Sequence, residues 1–289
     1  MNLKARNETV FNTAHLINVK GRLMDFKTPK VMGILNVTPD SFYDGGKFTQ
    51  GKAYLRQARK MLREGVDIID IGGQSTRPNA KTVTEKVELK RVLPVVQAIL
   101  EAFPAATLSI DTWYSEVAGR CIEAGAAIVN DVSAGRIDRN MYKTVGSLKV
   151  PYVLMHMKGT PKTMQQAPRY RDVTKEVVAF LLKEMSKLRS AGVLDIMVDP
   201  GFGFGKSIQH NFELLNQLET LKLTGCPVLA GVSRKSMIYK TLNTSTQKAL
   251  NGTTALNMVA LMKGARILRV HDVKEAKEAC LLFDQLSNA

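Results

Sequence analysis

The sequence predicts a single (β/α)8 TIM barrel, because short apolar strands alternate with amphipathic helical segments along 289 residues. This length suits one barrel of roughly 250 residues plus a small extension. Closing the sheet leaves no exposed edge strand, which favours a barrel over an open doubly wound sheet. The open sheet is the alternative interpretation, although no G-x-G-x-x-G follows the first strand.

An N-terminal hairpin is predicted before the barrel. Residues 13–26 carry apolar positions on both sides of a turn at Lys20-Gly21. We therefore assign residues 1–28 to an N-terminal hairpin extension of one domain that spans 1–289.

The barrel strands are predicted where an apolar run ends in polar or charged residues. They are residues 31–38, 66–71, 106–111, 127–131, 151–157, 196–199, 227–233 and 267–272. Helical spacing of apolar residues predicts intervening helices, among them 51–64, 83–100, 173–191 and 248–263.

The polar strand ends are the candidate functional residues. Each one alone is as well explained by a turn cap or a satisfied core side chain, but a barrel brings its strand ends to one rim. Carboxylates and amides there can read the edge of a heterocycle, whereas cationic side chains suit an anion. The set comprises Asn36, Asp70, Asp111, Asn130, Asp199, Lys235, Arg269 and His271. His156 also lies near the end of the fifth strand but is not part of this set.

The stretch 196–206 carries the strongest single signal. Its strand ends at Asp199, and three alternating glycines then let the backbone approach a ligand while Phe202 and Phe204 supply flat apolar surface. The alternative is that Asp199 only caps a helix that begins near Ser207.

Composition bears on partners and compartment. A net charge of +15 favours acidic partners, but there is no arginine-rich tail or aromatic interleaving, so nucleic-acid binding is not expected as the main function. Three widely spaced cysteines form no C-x-x-C pair and indicate neither a zinc site nor a disulfide framework. Without a signal peptide or a membrane-length apolar run, we expect a cytoplasmic protein that does not enter membranes.

Four motifs together resemble the bacterial dihydropteroate synthases, over the chain from about Val31 to the last helix. They are Asn36-Val-Thr-Pro-Asp-Ser-Phe42, Gly72-Gly-Gln-Ser-Thr-Arg-Pro78, Asp199-Pro-Gly-Phe-Gly-Phe-Gly-Lys206 and Ser233-Arg-Lys-Ser236. The resemblance implies a TIM barrel, usually a homodimer, that condenses 6-hydroxymethyl-7,8-dihydropterin pyrophosphate with 4-aminobenzoate. Mg²⁺ assists the release of pyrophosphate in this step of folate synthesis.

The resemblance also implies roles for individual residues. The pterin would contact Asp111, Asn130, Met155, Asp199, Gly231, Lys235 and Arg269. The pyrophosphate would contact Asn36, Thr76, Arg269 and His271, with Asn36 also meeting the metal. The aminobenzoate pocket would comprise Phe42, Thr76, Arg77, Pro78, Phe204 and Ser236. The residues expected to act in catalysis are Asn36, Asp111, Lys235, Arg269 and His271.

The chain departs from the family pattern at Gln74, where Glu is usual, and at Trp113-Tyr114. We expect Gln74 to lie in a flexible loop, so that Gln74→Glu changes mainly the Michaelis constant for 4-aminobenzoate.

The chemistry needs no activated serine or cysteine. Pyrophosphate can leave first because the ring nitrogens delocalise the resulting cation, and a neutral aromatic amine then attacks it. Two alternatives stay open at this point. One is a pterin-binding barrel that transfers a methyl group from methyltetrahydrofolate to a corrinoid protein, which should lack the Asn36 loop and Ser-Arg-Lys-Ser. The other is a basic RNA-binding or structural protein.

Overall fold

A computed structural model describes residues 16–38, 50–74, 82–160, 164 and 168–289. Within that part of the chain, parallel strands β3 to β10 close into a barrel in the order β10-β3-β4-β5-β6-β7-β8-β9. The predicted barrel is therefore confirmed, and the open sheet is wrong. The strands are β3 Lys30–Asn36, β4 Ile68–Gly72, β5 Leu108–Asp111, β6 Ile128–Asp131, β7 Tyr152–Met155, β8 Ile196–Asp199, β9 Val228–Ala230 and β10 Ala265–Val270.

The predicted hairpin is also present. Strands β1 (Leu16–Val19) and β2 (Arg22–Asp25) pair antiparallel. Lys20 and Gly21 join them with φ of 54° and 79°, the left-handed backbone that a tight hairpin turn requires. Buried side chains of the hairpin pack with residues near the starts of the barrel strands, which closes the N-terminal end of the barrel; they include Ile17, Val19, Met32, Ile68, Met197 and Ile267.

Helices surround the sheet and bury one face each against it. Their bounds are α1 Gln50–Arg63, α2 Glu85–Ala102, α3 Ser115–Glu123, α4 Met141–Leu148, α5 Val173–Ser190, α6 Ile208–Asn216, α7 Ser236–Tyr239, α8 Leu250–Met262 and α9 Val273–Asn288. Short 3-10 helices lie at Leu218–Thr224 and Thr246–Lys248. No helix in the described ranges is long and apolar enough to cross a bilayer.

Candidate active site

The strand ends meet at the C-terminal rim of the barrel, as the sequence predicted. Asn36, Asp111, Met155 and Asp199 are the last residues of β3, β5, β7 and β8. Further members lie on or just after their strands: Asn130 is the third residue of β6, Arg269 the fifth of β10, and Gly231 directly follows β9.

A guanidinium held between two carboxylates lies near the centre of the rim. Arg269 donates from Nε to Asp70 Oδ2 at 2.7 Å and from Nη2 to Asp111 Oδ2 at 2.6 Å. Asn130 Nδ2 donates to the same Asp70 oxygen at 3.0 Å. Asp70 is fully buried and was not among the predicted ligand contacts, yet it fixes both Arg269 and Asn130. The sequence feature that could have identified Asp70 is a carboxylate inside an otherwise apolar strand.

The charged groups in this cluster shift one another's pKa values. Burial raises the pKa of Asp111 to about 7, and the Arg269 guanidinium limits that rise. Burial would lower the pKa of Arg269, but Asp70 and Asp111 outweigh it and raise that pKa above its ordinary value. Removing Arg269 would therefore push the Asp111 pKa upward and favour its neutral form near pH 7.

A second cluster forms around Gly231. A carbon placed at its Cβ position would lie 3.8 Å from Lys235 Nζ, 3.9 Å from Arg269 Cβ and 4.0 Å from Asp199 Oδ2. Burial lowers the pKa of Lys235 to about 8, opposed by Asp199. Burial raises the pKa of Asp199, opposed first by Lys235. The side chains of Asp199, Lys235 and Arg269 thus converge on one small space that a side chain at position 231 would narrow.

The glycine-rich loop after β8 is held by side chains along its length. Gly201 N donates to Asp199 Oδ1 at 2.6 Å, and Gly203 N donates to Asn211 Oδ1 at 2.7 Å. Lys235 Nζ donates to the Phe202 carbonyl. Gly201 has a φ of 69°, and a Cβ there would stand 1.9 Å from the His156 carbonyl oxygen, so only glycine fits.

A buried lysine completes the support of this loop. Lys206 Nζ donates to the Gly201 carbonyl at 2.9 Å and to the Phe204 carbonyl at 3.2 Å, and it lies 2.9 Å from His156 Nδ1. Burial and then the Lys206 charge lower the pKa of His156 to about 2, so the neutral imidazole can accept this hydrogen bond. Lys206 and His156 were not predicted as site residues, because strand-end position alone does not reveal such a pair.

Asp199 does not cap helix α6, so that alternative is wrong. Ser207 is the N-cap residue, and its Oγ accepts from His210 N at 3.1 Å. Asp199 is instead left with Oδ2 directed toward the space beside Gly231.

An apolar wall borders the polar clusters. Met155 and Val132 are buried in one cluster with Trp113, and the half-buried Phe204 packs against it. The Lys235 ammonium lies 4.9 Å from the Phe204 ring centroid. Such a wall can cover the faces of a flat heterocycle whose edge meets the carboxylates.

The rim beside Asn36 offers oxygen atoms of the kind that bind Mg²⁺. A carbon at the Cβ position of Gly72 would lie 3.4 Å from Asn36 Oδ1 and 3.6 Å from Asp111 Oδ2. Within the described ranges, no group of three or more His, Cys, Asp or Glu side chains is arranged to hold a metal. Mg²⁺ commonly uses one or two protein oxygens together with water and substrate phosphates, and the Asn36 oxygen fits that kind of binding.

The expected position of His271 on the last strand is wrong. His271 was placed with Arg269 on the last strand, but β10 ends at Val270 and His271 follows it. His271 is exposed, with Nδ1 3.0 Å from Ser233 Oγ, whereas Arg269 already donates to carboxylates. The two side chains therefore lie in different surroundings.

The expectation that Gln74 lies in a flexible loop is wrong. Its side chain is only 5% exposed, and Nε2 donates to Glu88 Oε2 of α2 at 2.5 Å. Phe42, Thr76, Arg77 and Pro78 lie outside the described residues, so their assignment to the aminobenzoate and pyrophosphate contacts stays a prediction. Ser236 is half-buried at the start of α7, next to Lys235.

Comparison with known proteins identifies consistent similarities. The family described as pterin binding enzyme matches residues 32–271. The dihydropteroate synthase of Haemophilus influenzae is 43% identical over 270 residues, covering 93% of this chain and 98% of that protein. The Escherichia coli K12 dihydropteroate synthase is 43% identical over 272 residues, covering 93% and 96%.

Solved structures agree in fold as well as in sequence. A Yersinia pestis dihydropteroate synthase in a sulfonamide drug complex superposes with a TM-score of 0.89 at 40% identity, covering 95% of this chain and 100% of that one. The Xanthomonas albilineans enzyme with 4-aminobenzoic acid gives 0.89 at 40% identity, covering 95% and 99%. The same enzyme with 7,8-dihydropteroate gives 0.86 at 38% identity, with coverage of 95% and 99%.

Proposed function

Because the chain belongs to the dihydropteroate synthases of the pterin-binding enzyme family, we propose that its barrel rim condenses 6-hydroxymethyl-7,8-dihydropterin pyrophosphate with 4-aminobenzoate. The products are 7,8-dihydropteroate and pyrophosphate, so the protein is a transferase of folate synthesis. The observation that carries the assignment of roles is the convergence of Asp199, Lys235 and Arg269 on the space beside Gly231.

The pterin edge binds to the carboxylates and amide of the rim. Asp199 Oδ2 and Asp111 accept hydrogen bonds from ring N–H groups, and Asn130 offers both a donor and an acceptor. Lys235 donates to a ring acceptor from beside Asp199. Met155, Phe204 and the stem of Arg269 cover the ring faces, which keeps water from the reacting methylene.

The reaction breaks the methylene–oxygen bond to pyrophosphate and forms a methylene–nitrogen bond to the amine, which then loses a proton. Ionised Asp111 and Asp199 lie where positive charge develops on the ring and stabilise it. His271 and the N–H groups of Arg269 that do not donate to Asp70 and Asp111 bind the departing anion. Asn36 would hold Mg²⁺ through Oδ1, and the bound ion would neutralise charge on the pyrophosphate.

The amine approaches from the side of Phe204 and Ser236. Phe204 supplies a flat surface for an aromatic ring, and Ser236 lies at the N-terminus of α7 next to Lys235. Phe42, Thr76, Arg77 and Pro78 complete this pocket in the proposal, on the strength of the motif match.

The direct test is to incubate the purified protein with the pterin pyrophosphate, 4-aminobenzoate and Mg²⁺ and to detect dihydropteroate by mass. We expect product formation that stops when the metal is chelated. Methyl transfer from methyltetrahydrofolate without dihydropteroate formation would refute the proposal. Product formation without any dependence on Mg²⁺ would refute only the metal assignment.

We also propose a cytoplasmic homodimer that has no nucleic-acid or membrane partner. The three cysteines are unpaired and buried, which suits a reducing compartment. Leu281, Leu282 and Leu286 of α9 and Met262 of α8 are each more than 60% exposed, an apolar surface typical of subunit contacts. Sedimentation velocity should give twice the chain mass, and a monomer at micromolar concentration would contradict the dimer.

A further inference from the structure

The contact between Gln74 and Glu88 leaves two oxygen atoms without partners. Glu88 is fully buried and accepts from Gln74 Nε2 on Oε2 at 2.5 Å. Its other oxygen, Oε1, and the Gln74 Oε1 are both buried and have no hydrogen-bond partner. Buried polar atoms are rarely left unpaired, since each costs free energy that water would have supplied.

A single proton between Glu88 Oε1 and Gln74 Oε1 would give both oxygen atoms a hydrogen-bond partner. We propose that Glu88 is protonated on Oε1 and donates to Gln74 Oε1, so that the two side chains form a ring of two hydrogen bonds holding the Gly72–Gln74 segment against α2. A carboxylic acid and a carboxamide have complementary donors and acceptors for such a ring. An ionised Glu88 could make only one of the two bonds.

The surroundings of Glu88 favour the neutral acid. Burial raises the pKa of Glu88 to about 8, with smaller upward contributions from Asp111 on β5 and Glu85 on α2. The Thr112 hydroxyl, which lies near the Glu88 carboxyl without forming a hydrogen bond of normal geometry, and the charge of Arg91 both lower this pKa, but they do not cancel the effect of burial. Cys121 of α3 also faces this carboxyl, and its own pKa is raised to about 12, so it stays a neutral thiol.

The ring lies where it can affect the active site. Arg91, on the same helix as Glu88, donates from Nη1 to the Gly73 carbonyl at 2.9 Å. A Cβ at Gly73 would stand 2.8 Å from Glu88 Cγ, so the segment packs directly on this side chain. Gly72, the next residue back, separates Asn36 from Asp111. Glu88 and Gln74 are therefore positioning residues for that part of the rim.

Ionisation of Glu88 would act on the rim in two ways. It would break the bond to Gln74 Oε1. It would also add another buried negative charge close to Asp111, which would raise the pKa of Asp111 and favour its neutral form. We therefore expect kcat/KM for the pterin pyrophosphate to fall above about pH 8. This consequence rests on the proposed function, whereas the protonated ring itself does not.

The test uses Glu88→Gln, which mimics the neutral acid because an amide can make the same two-bond ring with Gln74. The infrared difference spectrum, wild type minus Glu88→Gln, should contain a buried carboxylic-acid carbonyl band that disappears above about pH 8, because protonated Asp111 contributes to both proteins and cancels. Gln74→Leu should shift this band, because the acid loses its partner. Absence of the band at pH 6.5 overturns the proposal, whatever the activity of the protein.

Unfolding provides a second measurement. The pKa of Glu88 in the folded state lies above the ordinary value of 4.5. The protonated side chain therefore makes its full contribution to the free energy of unfolding below pH 4.5, and this contribution is lost as the pH rises toward 8. The unfolding constant of the wild type, relative to Glu88→Gln, should rise roughly tenfold per pH unit across this window and then level off. A ratio independent of pH refutes the buried acid.

The catalytic readout is the ratio of kcat/KM for the pterin pyrophosphate between Glu88→Gln and the wild type. Titration of Lys235 affects both proteins and cancels in the ratio. The ratio should stay near one at pH 7 and rise severalfold through about pH 8. A flat ratio with the infrared band intact would overturn the positioning role. Absence of dihydropteroate formation by the wild type would instead refute the proposed function.

Discussion

Replacing Arg269 by Lys tests how the rim controls the charge of Asp111. The guanidinium donates to Asp70 at 2.7 Å and to Asp111 at 2.6 Å. A lysine ammonium has a single nitrogen and cannot reproduce this fork, so at least one of the two charged hydrogen bonds is lost. Asp70 retains its bond from Asn130, and the loss therefore affects mainly Asp111.

The size of the effect follows from the bond that is lost. A hydrogen bond to a charged group contributes about 1.5–3 kcal/mol, and one pKa unit corresponds to about 1.4 kcal/mol. The pKa of Asp111, about 7 in the parent, should thus rise by roughly one to two units. At pH 7.5 the ionised fraction would fall roughly three- to twenty-five-fold, and most of it would return by pH 9.5.

The assay compares kcat/KM for the pterin pyrophosphate between variant and parent from pH 6 to 9.5. The ratio should be low at neutral pH and recover as pH rises, and calorimetry with a pterin fragment should follow the same course. Arg266→Lys is the matched control, because Arg266 is on the same strand but packs over Phe283 of α9. A ratio for Arg269→Lys that does not vary with pH would refute the reasoning.

Three further changes probe other parts of the site. Asp199→Asn should weaken binding of a pterin fragment by about ten- to hundredfold in calorimetry, since one hydrogen bond to a charged group is lost, while unchanged affinity would remove Asp199 from the pterin contacts. Lys206→Met leaves the Gly201 and Phe204 carbonyls without their buried donor, so the free energy of unfolding in urea should fall by about 3 kcal/mol. Lys158→Met, at a half-exposed position, is the control and should have a smaller effect. His271→Ala should reduce pyrophosphate affinity at least tenfold with pterin affinity and melting temperature nearly unchanged, and unaltered pyrophosphate binding would contradict the anion-binding role.

The fold was largely predictable because strand and helix periodicities are local. Apolar runs that ended at Asn36, Asp111 and Asp199 identified strand ends, and the barrel then required those ends to share a rim. The hairpin turn at Lys20-Gly21 was predictable for the same reason. The end of the last strand was predicted two residues too late, at residue 272, whereas β10 ends at Val270. Residues 267–272 contain no glycine or proline that would have indicated an earlier end.

Which side chains bind one another was beyond the reach of sequence periodicity. Arg269 and Asp70 are 199 residues apart, and Lys206 and His156 are 50 apart, so no local pattern could indicate either pair. The local context of Gln74, in a stretch rich in Gly, Ser and Pro, predicted a flexible loop, but contact with Glu88 buries it.

Local residue patterns were enough to predict the barrel, the hairpin and the residues brought to the rim, because backbone geometry and strand polarity follow from those patterns. The charge states of these residues follow only from their packing. Packing removes water from Asp111, Asp199, Lys235 and Glu88 at once, and each pKa then depends on distances of a few ångströms between residues far apart in the chain.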